Sequence, residues 1–273
     1  MRRGSFDLQG FYREVDRAYG AADPVAVVHV LRDAIDGACV SSDPLALAAV
    51  ASELGSVLRA RGELELAEKL YLAALPAVDR AWDRSPLSRC TMRINLGDVY
   101  LAQGRGCDAV AAFDQAEVFL SRPEDHPYEL SAICNNRASA YRLCGMLTEA
   151  RRDLARAIAV LEGVPGTAGE RAVHAVNLAQ ILTEEGKLDE AAAALEPALK
   201  AYETLSGGRD IHRPQAFAAA GRIAYLKGDY ARCRDCYSNA IAAVEDKLGM
   251  APIVQQLEAE RDRADRLARE ARR

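Results

Sequence analysis

The sequence has no unbroken run of 18 apolar residues, little aromatic content (6%), a single tryptophan and only four histidines. Without an apolar run of that length no membrane-spanning helix is expected. Arg2 and Arg3 are followed by polar Ser5 and Asp7 rather than an apolar stretch, so no secretory leader is expected and the chain reads as cytoplasmic. The histidines at 29, 126, 174 and 212 lie far apart and form no His-Glu-x-x-His or comparable spacing, so no metal site and no cofactor are expected. Gly104-x-Gly106 precedes no phosphate-binding lysine and follows no strand pattern, and no nucleophile elbow occurs. No enzyme is visible in these residues. A net charge of −5 and a pI near 5.5 argue against a general nucleic-acid binder. The seven cysteines (39, 90, 107, 134, 144, 233 and 236) are scattered and odd in number, which suits reduced thiols better than a disulfide framework.

What is present is a repeat. A small residue is followed seven positions later by glycine and five later by another small residue, in five successive copies. These are Gly55–Gly62–Ala67, Gly97–Gly104–Ala109, Ala138–Gly145–Ala150, Ala179–Gly186–Ala191 and Gly221–Gly228–Cys233, with first-position steps of 42, 41, 41 and 42. A fixed period of this size marks a solenoid of stacked supersecondary units. Alanine, leucine, arginine and glutamate dominate, all good helix formers, and no candidate strand is found. Apolar content of 50% is ample for a stack that buries its surface between neighbours.

Each position in the pattern has a steric reason. The central glycine lies where a first helix ends and a left-handed residue is needed. The small residues on either side let two antiparallel helices approach closely. A second set follows at fixed register: Tyr71/Ala74, Phe113/Ala116, Leu154/Ala157, Leu195/Ala198 and Tyr237/Ala240. Spacings of three, four and seven put these residues on one helical face, the large member filling the space between helices and the small one admitting the next unit. Pro24, Pro44, Pro86, Pro127, Pro214 and Pro252 fall where helices should start, a position that needs no amide hydrogen. Pro76 and Pro197 fall inside second helices, where either a kink or an earlier helix end is expected. Cys233-x-x-Cys236 occupies the small-residue slot of the fifth copy and has no second pair, so it reads as packing rather than as a redox or zinc motif.

These residues carry a resemblance. Leu54-Gly55-x-x-Leu58…Gly62…Ala67…Tyr71…Ala74-Leu75 and Leu96-Gly97-x-x-Tyr100…Gly104…Ala109…Phe113…Ala116 resemble the tetratricopeptide repeat. The longer period, with Asn95-Leu96-Gly97 and Asn177-Leu178-Ala179, is similar to the kinesin-light-chain-type variant. The resemblance covers residues 43–248 and departs at the family's tryptophan position, held here by Ala51, Arg93, Cys134, Ala175 and Phe217. It implies an all-α, right-handed superhelical solenoid of antiparallel helix hairpins, with about six repeats and a capping helix. Residues 1–42 would be a degenerate N-terminal repeat, with Phe11, Val15, Val27, Leu31 and Ala34 in register. Residues 249–273 would be a C-terminal capping helix with an apolar stripe of Ile253, Leu257, Ala264, Leu267 and Ala271. A short coiled-coil seam is the other reading of that stripe. Lysine-poor, alanine- and arginine-rich usage hints at a bacterial source.

In the family the first helix of each hairpin lines a concave groove. Asn95, Asn136 and Asn177 recur there at steps of 41. A side-chain amide both donates and accepts, so a row of them pairs with an extended peptide backbone. The resemblance implies such an asparagine ladder; capping of local backbone or plain solvation is the alternative for each residue. Neighbouring groove positions are Glu53, Ser52, Ser56 and Arg59; Thr91, Asp98 and Leu101; Asn135, Ser139 and Arg142; Val173, Gln180, Thr183 and Glu184; Gln215, Arg222 and Tyr225. No lysine falls among them and the arginines alternate with acids, so a C-terminal-carboxylate ligand is not expected. The expected function is a non-catalytic interaction module that binds an extended peptide or partner protein. A peptide-sensing regulator acting on a separate effector chain, or a small-molecule binder or enzyme, remain alternatives. No nucleic-acid or membrane partner is expected, and the chain would be a monomer or a weak homodimer through its repeat ends.

Overall fold

A computed structural model describes residues 6–21, 24–41, 43–80, 86–120, 122, 125–204, 212–248 and 252–270. Among them thirteen α-helices and no strand occur: α1 (Leu8–Gly20), α2 (Pro24–Ser41), α3 (Pro44–Ala60), α4 (Leu64–Arg80), α5 (Pro86–Ala102), α6 (Gly106–Val118), α7 (Pro127–Leu143), α8 (Leu147–Val160), α9 (Ala168–Glu184), α10 (Leu188–Thr204), α11 (Arg213–Leu226), α12 (Tyr230–Leu248) and α13 (Pro252–Glu270). The chain divides into two compact units, Met1–Met146 and Leu147–Arg273. In the first, each helix from α1 to α7 packs on the next, and the first helices α3, α5 and α7 also pack side by side. In the second, α8 to α13 pack in the same serial way, and α9 lies against α11.

The helix ends follow from the residues at them. Five helices begin at proline (α2, α3, α5, α7 and α13), and α11 has Pro214 in its first turn. Asp43 caps α3 by accepting from the Leu45 N–H at 3.0 Å, and Asp7 caps α1 through Gly10 at 2.9 Å. The five turn glycines 62, 104, 145, 186 and 228 all have φ between 73° and 76°. Each sits in the same two-bond closure. In the first, the Gly62 N–H donates to the Arg59 carbonyl at 3.0 Å and Glu63 to Leu58 at 2.9 Å. Leu101 and Tyr100, Arg142 and Tyr141, Thr183 and Leu182, and Tyr225 and Ala224 accept the corresponding bonds at the other four turns. This closure satisfies carbonyls that a helix end leaves open, and a side chain at the glycine would cost roughly 1–2 kcal/mol.

Behind each turn the helices of a hairpin touch through one small and one large residue. A Cβ on Gly55 would lie 2.2 Å from the Tyr71 ring, on Gly97 2.6 Å from Phe113, and on Gly221 3.0 Å from Tyr237. Tyr71, Phe113, Leu154 and Leu195 are almost fully buried, as are the small partners Ala67, Ala109, Ala150, Ala191 and Cys233. Burial of Cys233 pushes its thiol up to about 11, which suits a packing residue. The Tyr71 hydroxyl donates to the Ser52 carbonyl at 3.2 Å, so this ring buries its polar tip with a partner.

Three expectations need correction or limits. Pro76 and Pro197 lie inside α4 and α10, which run on past them to Arg80 and Thr204, so neither marks a helix end. On α13 the buried stripe is Val254, Leu257 and Ala264; Ile253 is 48% exposed. Leu257 and Ala264 are buried as expected; only at the start of the stripe does Val254 replace Ile253 as the inward residue. Ala271 lies outside the described residues.

The glycine–aromatic contact generates a test. Gly97→Ala should destabilise the fold by about 1–3 kcal/mol through overpacking against Phe113. Adding Phe113→Leu should return much of that loss, because positions 138/154 and 179/195 of this chain already use Ala with Leu. Chemical denaturation of the two single variants and the double variant measures the coupling; strictly additive losses would contradict direct contact as the cause.

Candidate functional site

All the groove positions read from the sequence lie on first helices: Glu53, Ser56 and Arg59 on α3, Asn95, Asp98 and Leu101 on α5, Asn135, Asn136 and Arg142 on α7, Asn177 and Gln180 on α9, and Arg222 and Tyr225 on α11. They follow the helix period of the buried positions, one step round the surface. In the first unit the structure joins several of them. The Asn136 amide donates to the Asp98 carboxylate at 2.8 Å, linking α7 to α5. The Asn135 amide in turn donates to the Asn136 carbonyl oxygen at 3.0 Å. Asn136 is therefore neither a local cap nor merely solvated; it ties two first helices together. Asn95, one turn before Asp98, is half-buried.

Asp98 is the electrostatic centre of this face. Burial pushes its carboxyl up to about 6, against the opposing pull of the Arg59 charge on α3 and the Asn136 N–H. Arg59 itself is exposed, while Glu53 and Ser56 are half-buried beside it. The face thus carries an acid with a raised pKa, an exposed cation and an amide chain within three adjacent helices. One N–H and one lone pair of Asn136 are used internally, and the amide possesses a second of each.

In the second unit the expected residues are more dispersed. Asn177 is half-buried on α9, and Gln180 and Arg222 are exposed on α9 and α11. Tyr225 stands edge-on to Tyr230, ring centroids 5.8 Å apart, and the Arg263 guanidinium of α13 lies 5.0 Å from its ring centre. Its ring is therefore part of the packing of α11 with α12 and α13, a role the repeat register alone did not show.

Two buried arginines escaped the sequence reading. Arg93 makes a two-point contact with Asp79, at 2.8 and 3.0 Å, and lies with Arg89 against the Phe119 ring, the guanidinium carbons 4.5 and 3.9 Å from its centre. Arg137 reaches Asp114 at 2.7 Å and Glu117 at 2.8 Å. Both bind second-helix acids, so they brace hairpins rather than line the first-helix face. Arg93 occupies the family's tryptophan position, and that departure was the one signal of an unusual environment. Among the described residues no group of three or more His, Cys, Asp or Glu is placed to hold a metal ion, and no helix is long and apolar enough to cross a membrane.

The raised Asp98 pKa has a defined sign in stability. A carboxyl that binds its proton more tightly when folded contributes stability below its unfolded pKa near 4, and that contribution is lost as pH rises towards 6. Asp98→Asn should therefore match wild type at pH 4 and exceed it at pH 7.5 by on the order of 1–2 kcal/mol. His174, which burial holds down to about 4, acts in the opposite sense but equally in both proteins. Unfolding followed by circular dichroism at the two pH values reads the difference; an equal difference at both would exclude Asp98 as its source.

Residues 129–204 match the model of the tetratricopeptide repeat family. No curated protein matches the sequence. Among solved structures, BtubC (BKLC) from P. vanneervenii is similar, with a TM-score of 0.68 at 20% identity over 89% of this chain and 94% of that one. A Podosopora anserina putative kinesin light chain with nearly identical TPR-like repeats gives 0.60 at 21% over 72% and 93%. Pseudomonas aeruginosa PilF gives 0.60 at 15% over 92% and 96%. At these identities the likeness is one of fold. The tetratricopeptide-repeat match thus rests on residues 129–204, and the chain shares the helical-repeat fold of the kinesin-light-chain-type structure.

Proposed function

We propose that the chain is a non-catalytic protein–protein interaction module that binds an extended peptide or partner segment on its first-helix faces. The tetratricopeptide repeat supports the interaction role in general. The observation that favours this face is the Asp98–Asn136–Asn135 chain across α5 and α7, which holds side-chain amides in fixed positions. Amides fixed in advance lose little freedom on binding, and each meets one peptide group of an extended strand. Asn95 extends the row on α5, with Arg59 and Glu53 at one margin and Arg142 at the other. On this reading the ligand carries charges of both signs and a small apolar residue near Leu101. Asn177, Gln180 and Arg222, with Tyr225 at the margin, serve the second unit's own face.

The test is recovery of partners from a lysate, and binding of the recovered peptide, by wild type and by the Asn95/Asn136/Asn177→Ala variant. Affinity should fall about tenfold or more, equivalent to at least 1.4 kcal/mol. Because Asn136→Ala also strips Asp98 of its amide donor, Asp98→Asn is run in parallel to separate loss of the amide from an unsatisfied carboxyl. Unchanged recovery by the triple variant would remove the ladder, and recovery of nothing by any of them would remove the module reading.

A further inference from the structure

The joint between one hairpin and the next has a constant geometry. At turn glycines 104, 145, 186 and 228 the residue just before the glycine reaches back to the first turns of the preceding hairpin's second helix, whereas Arg61, before Gly62, pairs with Glu63. Gln103 donates to Glu68 at 2.8 Å, Glu185 pairs with Arg151 at 3.5 Å, and Lys227 pairs with Asp189 at 2.5 Å. Their partners stand three or six residues after the preceding turn glycine, hence on one face of the second helix. At the remaining joint this position is Cys144, and its partner, three residues after Gly104, is Cys107. The two sulfurs lie 3.3 Å apart. Cys107–Cys144 and Asp189–Lys227 are thus the same pair of repeat positions, filled once by thiols and once by an ion pair.

The approach is built into the backbone. Gly106 opens α6 against the last turn of α7, and a Cβ there would lie 2.9 Å from the Cys144 sulfur and 3.0 Å from the Ala140 carbonyl. Cys107 is exposed and Cys144 half-exposed. A disulfide needs the sulfurs at about 2 Å, so closure asks for a shift of little more than about 1 Å.

We propose that Cys107 and Cys144 are an oxidisable dithiol, a modification site at which hydrogen peroxide converts the α6–α7 joint into a reversible disulfide. The exposed Cys107 thiolate attacks one peroxide oxygen; the O–O bond breaks, hydroxide leaves and is protonated to water, and Cys107 becomes a sulfenic acid. The Cys144 thiolate then attacks that sulfur; the S–S bond forms, the S–O bond breaks and a second hydroxide leaves as water. Two thiols lose two electrons and two protons, and the peroxide is reduced. The hydrogen bond with Cys107 raises the Cys144 thiol, which together with its lower exposure puts the first attack at Cys107.

The full-length chain is treated with dilute hydrogen peroxide, its remaining thiols are alkylated, and peptides are mapped by mass spectrometry. The expected result is a linked pair of peptides containing 107 and 144, with alkylation at both positions falling about tenfold and restored by dithiothreitol. Thermal unfolding should rise by several degrees on oxidation in wild type and in Cys39→Ser, another exposed thiol, but not in Cys107→Ser or Cys144→Ser. Because Cys107 is exposed, its replacement by serine preserves the fold and keeps the comparison usable. Cys107 reaching the sulfinic state with no 107–144 linkage, or linkage only between separate chains, would overturn the proposal.

Discussion

The architecture rests on how closely the two helices of each hairpin can approach. In three hairpins that approach is set by a glycine lying directly under an aromatic ring, where a single added carbon would overlap Tyr71 or Phe113 and crowd Tyr237. The chain keeps this volume balanced from copy to copy. Glycine at positions 55, 97 and 221 is matched by Tyr71, Phe113 and Tyr237, while alanine at 138 and 179 is matched by Leu154 and Leu195. The summed volume of the two positions is held roughly level, which close-packed interiors require. The turn glycine then becomes obligatory, because helices this close leave room for only a two-bond closure through a left-handed residue.

Once the hairpin is fixed, the joint between hairpins is free to vary, and it carries the polar diversity of the chain. The same geometric position holds an amide–carboxylate bond, a thiol pair or an ion pair. The buried arginines add a second layer of bracing, since Arg93 and Arg137 each tie a first helix to acids on the second helix before it. Removing one partner of such a pair would strand a buried charge, so these contacts act as a requirement for correct stacking.

This division explains what the sequence disclosed. The turn glycines, the small–large register and most helix starts depend on backbone sterics within about 20 residues, so period and residue size were enough to place them. Asp98 and Asn136 lie on the first helices α5 and α7, as the same period requires. The Asn136–Asp98 bond did not follow, since 38 residues separate the pair and only packed helices bring them together. Cys107 and Cys144 stand 37 residues apart, slightly less than one repeat; counted from the turn glycines, they would have been found. Arg93 and Arg137 were illegible because an arginine on a helix is solvated by default, and only Asp79, Asp114 and Glu117 make their burial tolerable. The exchange of Val254 for Ile253 at the start of the α13 stripe arose at an element with no turn glycine to anchor its first turn.

Asp98 brings the energetic and functional arguments together. Its raised pKa means that a full negative charge is poorly solvated on this face even with Arg59 and Asn136 nearby. That is a cost to the empty face near neutral pH, and one that a bound partner would relieve by bringing N–H donors or a positive side chain. By linkage, whatever relieves it binds more tightly as Asp98 loses its proton, so on the proposed reading affinity rises through about pH 6. A ligand that touched only the exposed margin at Arg59 and Arg142 would lack that dependence. The pH profile of binding therefore distinguishes a peptide seated over the amide chain from one held by rim charges alone.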